Sequence, residues 1–245
     1  MRKSGLLLLL FGVALGLLGF CRQAAENGRF VTYRLNPQRQ LLQLFYQDNH
    51  GRRFGSIQRL KDWLAQRHQT LLFATNGGMY SPGSVPKGLF MQSQKLVTPL
   101  DTTSGVGNFY LKPNGVFYLT TSRRAGICAT ERFRIGPGFA YATQSGPLLV
   151  LHGQLNPSFT SGSANKVVRN GVGLLPTGEV VFVISREKVN FYDFAAYFKS
   201  LGCRDALYLD GFVSRLYLPA QHWQQTDGDF GVIIGVAAAD HLGIN

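Results

Sequence analysis

Four short segments of this 245-residue chain place polar or ionisable residues where apolar stretches stop. The first is Thr75-Asn76-Gly77-Gly78-Met79-Tyr80, at the end of the apolar run Leu71–Thr75. Paired glycines let the backbone approach a ligand, and their amides can face an anion, although a plain tight turn uses the same residues. The second is Gln144-Ser145-Gly146-Pro147, ahead of Leu148–Leu151. Ser145 lacks a Gly-x-Ser-x-Gly setting, so it reads as a polar lining residue and not as a nucleophile. The third is Arg169-Asn170-Gly171-Val172-Gly173, entering a buried strand. An arginine there can grip a phosphate with two N–H groups, or merely close a turn at the surface. The fourth is Tyr208-Leu209-Asp210-Gly211 with Ser214 beyond it. A carboxylate after an apolar strand can do acid–base or nucleophilic work, and an Asp-Gly turn has the same appearance.

These segments need a scaffold, and the flanking patterns describe one. Phe30–Leu35 and Leu41–Gln47 read as an antiparallel hairpin turning at Asn36-Pro37. Ser56 caps a helix over 57–69, with Ile57, Leu60 and Leu64 on one face. Short strands follow at Leu89–Gln92 with Lys95–Thr98, and at Phe109–Leu111 with Val116–Thr120 about the turn Lys112–Gly115. Val172–Leu175 and Glu179–Ser185 flank another turn. Phe191, Phe194, Phe198 and Leu201 recur at helical spacing between a capping Asn190 and a terminating Gly202. Ala206–Leu209, Arg215–Leu218 and Gly231–Val236 are further strands. The sum is an α+β single domain, with a mixed or mainly antiparallel sheet and a few helices. Regular strand–helix alternation is missing, so a doubly wound fold is excluded. The 29 glycines agree with many turns.

Hydrophobic content of 45% with 16% charged residues is that of a folded chain, not a disordered one. Arg2 and Lys3 precede the apolar stretch Leu6–Phe20, which has the form of an export signal and is short for a membrane-crossing helix. Residues 1–25 are therefore expected to be a signal peptide or N-terminal membrane anchor, with the domain at 26–245. Three processing routes stay open: lipidation at Cys21, cleavage near Ala24, or an uncleaved anchor. Export predicts a periplasmic location, or attachment to the membrane by the N-terminus. The formal charge is +12, of which Arg2, Lys3 and Arg22 belong to the leader, leaving +9 on the body. Such a surface favours anionic ligands. The charges form no basic run and do not interleave with aromatics, so nucleic acid is not an expected partner. Cys128 and Cys203 pair or stay free with equal licence from the sequence, and no Cys or His spacing suggests a zinc site.

Taken in order, Asn-Gly-Gly-Met-Tyr, Ser-Gly-Pro, Arg-Asn-Gly-Val-Gly and Leu-Asp-Gly resemble the phosphodiester glycosidase family. The intervening Lys112–Tyr118 and Val189–Phe194 resemble a bacterial exported subgroup of it. The likeness runs from about Phe30 to Val236. It implies hydrolysis of a glycosyl–phosphate bond in an anionic sugar phosphodiester of the cell envelope. It also implies a pocket in which Asp210, Arg169 and Asn76 are catalytic. Gly77, Gly78, Tyr80, Gln144, Ser145, Gly146, Asn170, Gly211 and Ser214 would contact the substrate. Phe212 and Val213, standing before Ser214 where a small residue is expected, would narrow the sugar pocket. No metal or other cofactor is assigned. Glycosidases ordinarily use two carboxylates. Asp193 reads as a partner of the Asn190 cap, Asp205 as a surface residue, and Asp101 as a loop residue able to reach a site. His152 reads as a loop residue. The alternative function is binding of anionic envelope glycans without cutting them.

Overall fold

The run Val180–Ser185 is buried along its whole length, so it must be covered on both faces. That requirement organises the molecule. The structure is a computed structural model and describes residues 28–239. In chain order the strands are β1 (Phe30–Leu35), β2 (Leu42–Phe45), β3 (Gln69–Asn76), β4 (Tyr80–Ser81), β5 (Val85–Pro86) and β6 (Phe90–Gln92). They continue with β7 (Lys95–Thr98), β8 (Gly115–Thr120), β9 (Ala125–Ala129), β10 (Phe139–Ser145), β11 (Leu148–Leu151) and β12 (Gln154–Leu155). The last six are β13 (Asn170–Leu174), β14 (Val180–Ser185), β15 (Asp205–Tyr208), β16 (Leu216–Leu218), β17 (Trp223–Gln224) and β18 (Ile233–Ala239). Helices α1 (Ile57–Ala65) and α2 (Phe191–Ser200) lie wholly within the described residues.

Three sheets form, ordered β1-β14-β13-β15-β11-β12, β7-β6-β10-β8-β9 and β17-β16-β3-β18-β2. The hairpin β4-β5 stands apart, and all the strand pairs described are antiparallel. This is the α+β architecture expected. The sheets share one core, to which Phe73, Phe90, Phe117, Phe182, Leu207 and Ile234 contribute. Alternate residues of β14 divide between layers. Val180, Phe182 and Ile184 enter the shared core, while Val181 and Val183 meet Phe194 and Phe198 of α2. Helix α2 lies so close to β13 that a Cβ on Gly173 would come within 2.7 Å of Phe198. The glycines of Arg169–Gly173 therefore make room for a helix. Helix α1 covers the back of β3 and β18 through Ile57, Leu60 and Leu64.

Both helix caps are as read. Ser56 Oγ accepts from the Arg59 amide and Asn190 Oδ1 from the Asp193 amide. Two local readings are corrected. β1 and β2 are not a hairpin: β1 pairs with β14 and β2 with β18, in different sheets. The turn at Asn36 sends the chain from one layer to the next. Asn108–Tyr110 is a 3-10 turn, not a strand. Leu111 is exposed and only Phe109 of this stretch is fully buried, so a single anchor replaces a ladder.

Cys128 and Cys203 are free. Cys203 is buried under α2, and burial pushes its thiol up to about 12; burial also raises Cys128. Because the thiolate is the reactive form, native protein is expected to alkylate slowly at Cys128 and not at Cys203. Both should react after unfolding without reductant. Mass analysis showing a body lighter by two hydrogens would contradict this.

Candidate active site

Asp210 follows the last residues of β15, and three other strands hold it in place. Leu209 O accepts from Ser145 Oγ at the end of β10, at 3.2 Å. Leu209 N donates to Asn170 O at the start of β13, at 3.1 Å. Asp210 O accepts from Asn76 Nδ2 at the end of β3, at 2.9 Å. Asn76 Oδ1 accepts from the Arg215 amide at 2.9 Å and from Asn170 Nδ2 at 3.0 Å. Thr75 Oγ1 donates to Arg215 O, and Ser214 Oγ lies between Val168 O and Asp210 O. The loop from Asp210 to Arg215 is thus clamped at both ends by buried amides and hydroxyls. Since an unmade buried hydrogen bond costs about 1–3 kcal/mol, the loop has one favoured path.

The carboxyl of Asp210 is half-buried, and its Oδ1 accepts from the Phe212 amide at 3.1 Å. Burial raises its pKa, and the Phe212 bond only partly offsets this. No described arginine or lysine forms an ion pair with it. Tyr80 stands nearby. Its own pKa is raised by burial and then by the charges of Asp210 and Asp229.

Arg169 and Asn170 point to opposite faces of the chain, as neighbours in an extended strand must. Asn170 joins the clamp; Arg169 does not. Its guanidinium is completely buried, 3.6 Å from the centroid of Phe191 and 5.2 Å from that of Tyr208. Nε donates to Val189 O at 2.8 Å and one Nη to Asn165 O at 3.0 Å. The other, Nη1, finds no hydrogen-bond partner among the described residues. No carboxylate of a described residue pairs with this cation, and burial lowers its pKa. Tyr208, two residues before Asp210, lies under Arg169 and feels the charges of both Arg169 and Asp210. Its phenol is raised to about 12 by burial, with Arg169 acting against the rise and Asp210 with it. A Cβ on Gly211 would collide with the Tyr208 hydroxyl, which explains a glycine after the aspartate.

The structure therefore gathers Asn76, Tyr80, Ser145, Asn170, Asp210, Gly211 and Ser214, and it changes several assigned roles. Asn76, Ser145, Asn170 and Ser214 are buried and turned toward each other, so they position the loop and do not present themselves to a ligand. The Gly77 amide already donates to Val232 O at 2.7 Å and is closed to an anion. Gly78 makes room for Gln144 O and Gly146 for Asn114, so both are packing glycines. Gln144 is fully buried and bonded elsewhere. Arg169 cannot offer a two-pronged grip, because only Nη1 is left open. Phe212 is 97% exposed, and only its amide reaches Asp210. Asp205 is 1% exposed, bonded by Arg204 Nε at 2.8 Å and the His152 amide at 3.0 Å, and is not a surface residue. Tyr208 opens the fourth segment read in the sequence, but nothing in that segment signals its contact with Arg169.

Residues 69–234 match the phosphodiester glycosidase family. The chain is 35% identical over 196 residues to the uncharacterized protein YigE of Escherichia coli (strain K12), covering 79% of this chain and 76% of that one. The fold is similar to the catalytic domain of zebrafish N-acetylglucosamine-1-phosphodiester alpha-N-acetylglucosaminidase. That likeness has a TM-score of 0.59 and 12% identity over 85% of this chain and 82% of the other. It is also similar to a hypothetical protein from Synechocystis, at a TM-score of 0.55 and 15% identity, covering 85% of this chain and 59% of that one. With its four motifs gathered around the Asp210 loop and most of its length matched, this chain belongs to the phosphodiester glycosidase family.

Proposed function

We propose that the protein hydrolyses the glycosyl–phosphate bond of a sugar phosphodiester on the outer side of the cytoplasmic membrane. One observation carries the reading. A buried cation with no counter-ion among the described residues, Arg169, and a half-buried carboxyl with no cation partner among them, Asp210, both act on one phenol, Tyr208. Separated charges suit a reaction that builds negative charge on a departing phosphate and positive charge on a sugar carbon. The C1–O bond breaks, and the electron pair leaves with the phosphate. A phosphomonoester is already a stable anion, so protonation of the leaving oxygen is not demanded. Asp210 stabilises the cationic carbon and takes the proton of the attacking water, whose oxygen becomes the sugar hydroxyl. The raised pKa makes it the stronger base. Arg169 is too deep to touch the substrate and acts through its field. Export follows from the apolar segment Leu6–Phe20, which lies outside the described residues. No helix among the described residues is long and apolar enough to cross a membrane.

The test is hydrolysis of nucleotide-sugars and synthetic sugar phosphodiesters in water enriched in oxygen-18. The label should appear in the released sugar and not in the phosphate. Label in the phosphate would mean attack at phosphorus, and the assignment of Asp210 would fall. Binding of the same compounds without turnover would favour the glycan-binding alternative.

A further inference from the structure

The end of the molecule that holds Asp210 also carries its most exposed apolar side chains. Phe212 is 97% exposed and Val106 96%, while the other large hydrophobic residues at the surface stand at 37–51%. Both project from fastened backbone. The Phe212 amide donates to Asp210 Oδ1 at 3.1 Å, between the clamps on Asp210 O and the Arg215 amide. Val106 precedes the 3-10 turn Asn108–Tyr110, closed by the Tyr110 amide on Gly107 O at 3.1 Å. That turn packs against Gly146, where a Cβ would meet Phe109 O at 2.8 Å, and the neighbouring Ser145 holds Leu209 O. Val85 lies in the β4–β5 hairpin that follows Asn76, and Leu111 ends the 3-10 turn; both are exposed. A single exposed apolar residue decides nothing, but several on loops at one end form a surface that water does not favour.

The same end receives the N-terminal part of the chain. Phe30 pairs with Ser185, whose amide donates to Arg169 O at 2.9 Å, and the Arg186 amide donates to Arg29 O at 2.8 Å. Only residues 21–27 separate Gly28 from the apolar segment Leu6–Phe20. Extended chain spans at most about 3.6 Å per residue, so Gly28 lies within roughly 30 Å of Phe20. A bilayer that holds the apolar segment is therefore within reach of the Asp210 end. Cations stand beside the point of entry. Val167 and Val189 exchange backbone hydrogen bonds at 3.2 and 2.9 Å, which puts Lys166 and Lys188 on adjoining segments next to Arg169. Both lysines are exposed, as is Arg186, and none of the three forms an ion pair with a described residue. The nearby acids Glu187 and Asp193 are matched by Arg29, at 2.5 and 3.8 Å.

We propose that this end is a membrane-docking face. Phe212 and Val106 enter the headgroup region of the bilayer that holds Leu6–Phe20, and Lys166, Arg186 and Lys188 meet anionic lipid phosphates. Apolar side chains on loop tips gain burial by shallow insertion, and each cation near an anionic leaflet adds attraction. Docking does not depend on the hydrolytic reading. Joined to it, docking makes the substrate a membrane-borne sugar phosphodiester, met by Asp210 at the bilayer surface.

The experiment places the full chain in vesicles of phosphatidylglycerol and phosphatidylcholine with brominated acyl chains. Tryptophan emission is read for Phe212→Trp, Val106→Trp and Thr177→Trp, each against wild type. Thr177 is exposed in the turn between β13 and β14, at the other end of the sheet from Asn170. Phe212→Trp and Val106→Trp should shift to the blue and be quenched by the bromolipid, and Thr177→Trp should show neither. Adding Lys188→Met to Phe212→Trp should lower the ratio of docked to free protein by about fivefold, the worth of one cation at an anionic surface. Unquenched Phe212→Trp and Val106→Trp, or equal quenching of Thr177→Trp, overturns the docking face. So does a Phe212→Trp emission that ignores lipid and responds to a nucleotide-sugar, the mark of a platform for a soluble ligand. A protein that docks but cleaves no sugar phosphodiester keeps the face and loses the hydrolytic reading. One that cleaves soluble sugar phosphodiesters without lipid quenching does the reverse.

Discussion

Asp210→Asn is expected to lower turnover of a sugar phosphodiester by about 10²–10⁴-fold, the range for loss of a positioned acid–base group, while the fold survives. The asparagine keeps the size of the side chain and an oxygen for the Phe212 amide. The backbone clamps on Leu209 O and Asp210 O do not involve the side chain. Thermal unfolding gives an independent check. Burial raises the Asp210 pKa, so the folded state favours the protonated acid. The resulting stability is complete below the ordinary aspartate value of about 3.9 and is lost as pH rises through the folded value. An asparagine cannot ionise. The variant should therefore melt at or above the wild-type temperature near neutral pH, with the gap closing in acid. In wild type kcat/KM should fall as pH drops through the same raised pKa, because the base must be ionised. Full turnover by the variant would make Asp210 a turn residue. A midpoint several degrees below wild type at neutral pH would show that burial is not straining the carboxylate.

The sequence is legible where one residue's environment settles its role. The continuous apolar run of β14, the phenylalanine spacing of α2 and the caps at Ser56 and Asn190 all appear in the structure where the pattern puts them. Pairing is less legible, because an apolar strand records that it is covered and not by what. β1 and β2 look like a hairpin for that reason, although they serve different sheets. The site follows the same division. Asn76, Asn170, Asp210 and Ser214 are gathered, since polar residues at strand ends need partners and the strand ends meet. Their tasks are not legible. An asparagine or glycine beside a pocket and one inside a clamp have the same local sequence. Gln144 shows the cost: its four bonds to chain segments far apart in sequence make a residue read as a ligand contact into a brace between Leu89, Asp101 and Thr130. Asp205 reads as a surface residue for a related reason: of its partners Arg204 and His152, the second is supplied by a turn more than 50 residues earlier.

Arg169 allows charge and geometry to be separated. Replacement by methionine leaves an unbranched apolar side chain between Phe191 and Tyr208 and removes a buried cation that has no counter-ion among the described residues. Removing such a charge offsets lost hydrogen bonds. Few acceptors are orphaned: Val189 O still accepts from the Val167 amide, and Asn165 is exposed to water. Stability should therefore stay within about 1–2 kcal/mol of wild type, well short of the losses that mark a collapsed core. The rate should not be preserved. Without the cation behind Tyr208, a departing phosphate loses stabilisation that grows during bond cleavage, and kcat should fall by about 10²–10³-fold, the range seen when a preorganised electrostatic group is removed, with KM little changed. Arg169→Lys retains the charge, but its single ammonium cannot serve Val189 O and Asn165 O together while stacking as a flat guanidinium does. It should recover part of the turnover lost by the methionine variant if the field matters, and none if only the planar stack matters. Wild-type turnover by a folded Arg169→Met protein would show that this buried charge has no part in the reaction, and the pairing of Arg169 with Asp210 through Tyr208 would have to be abandoned.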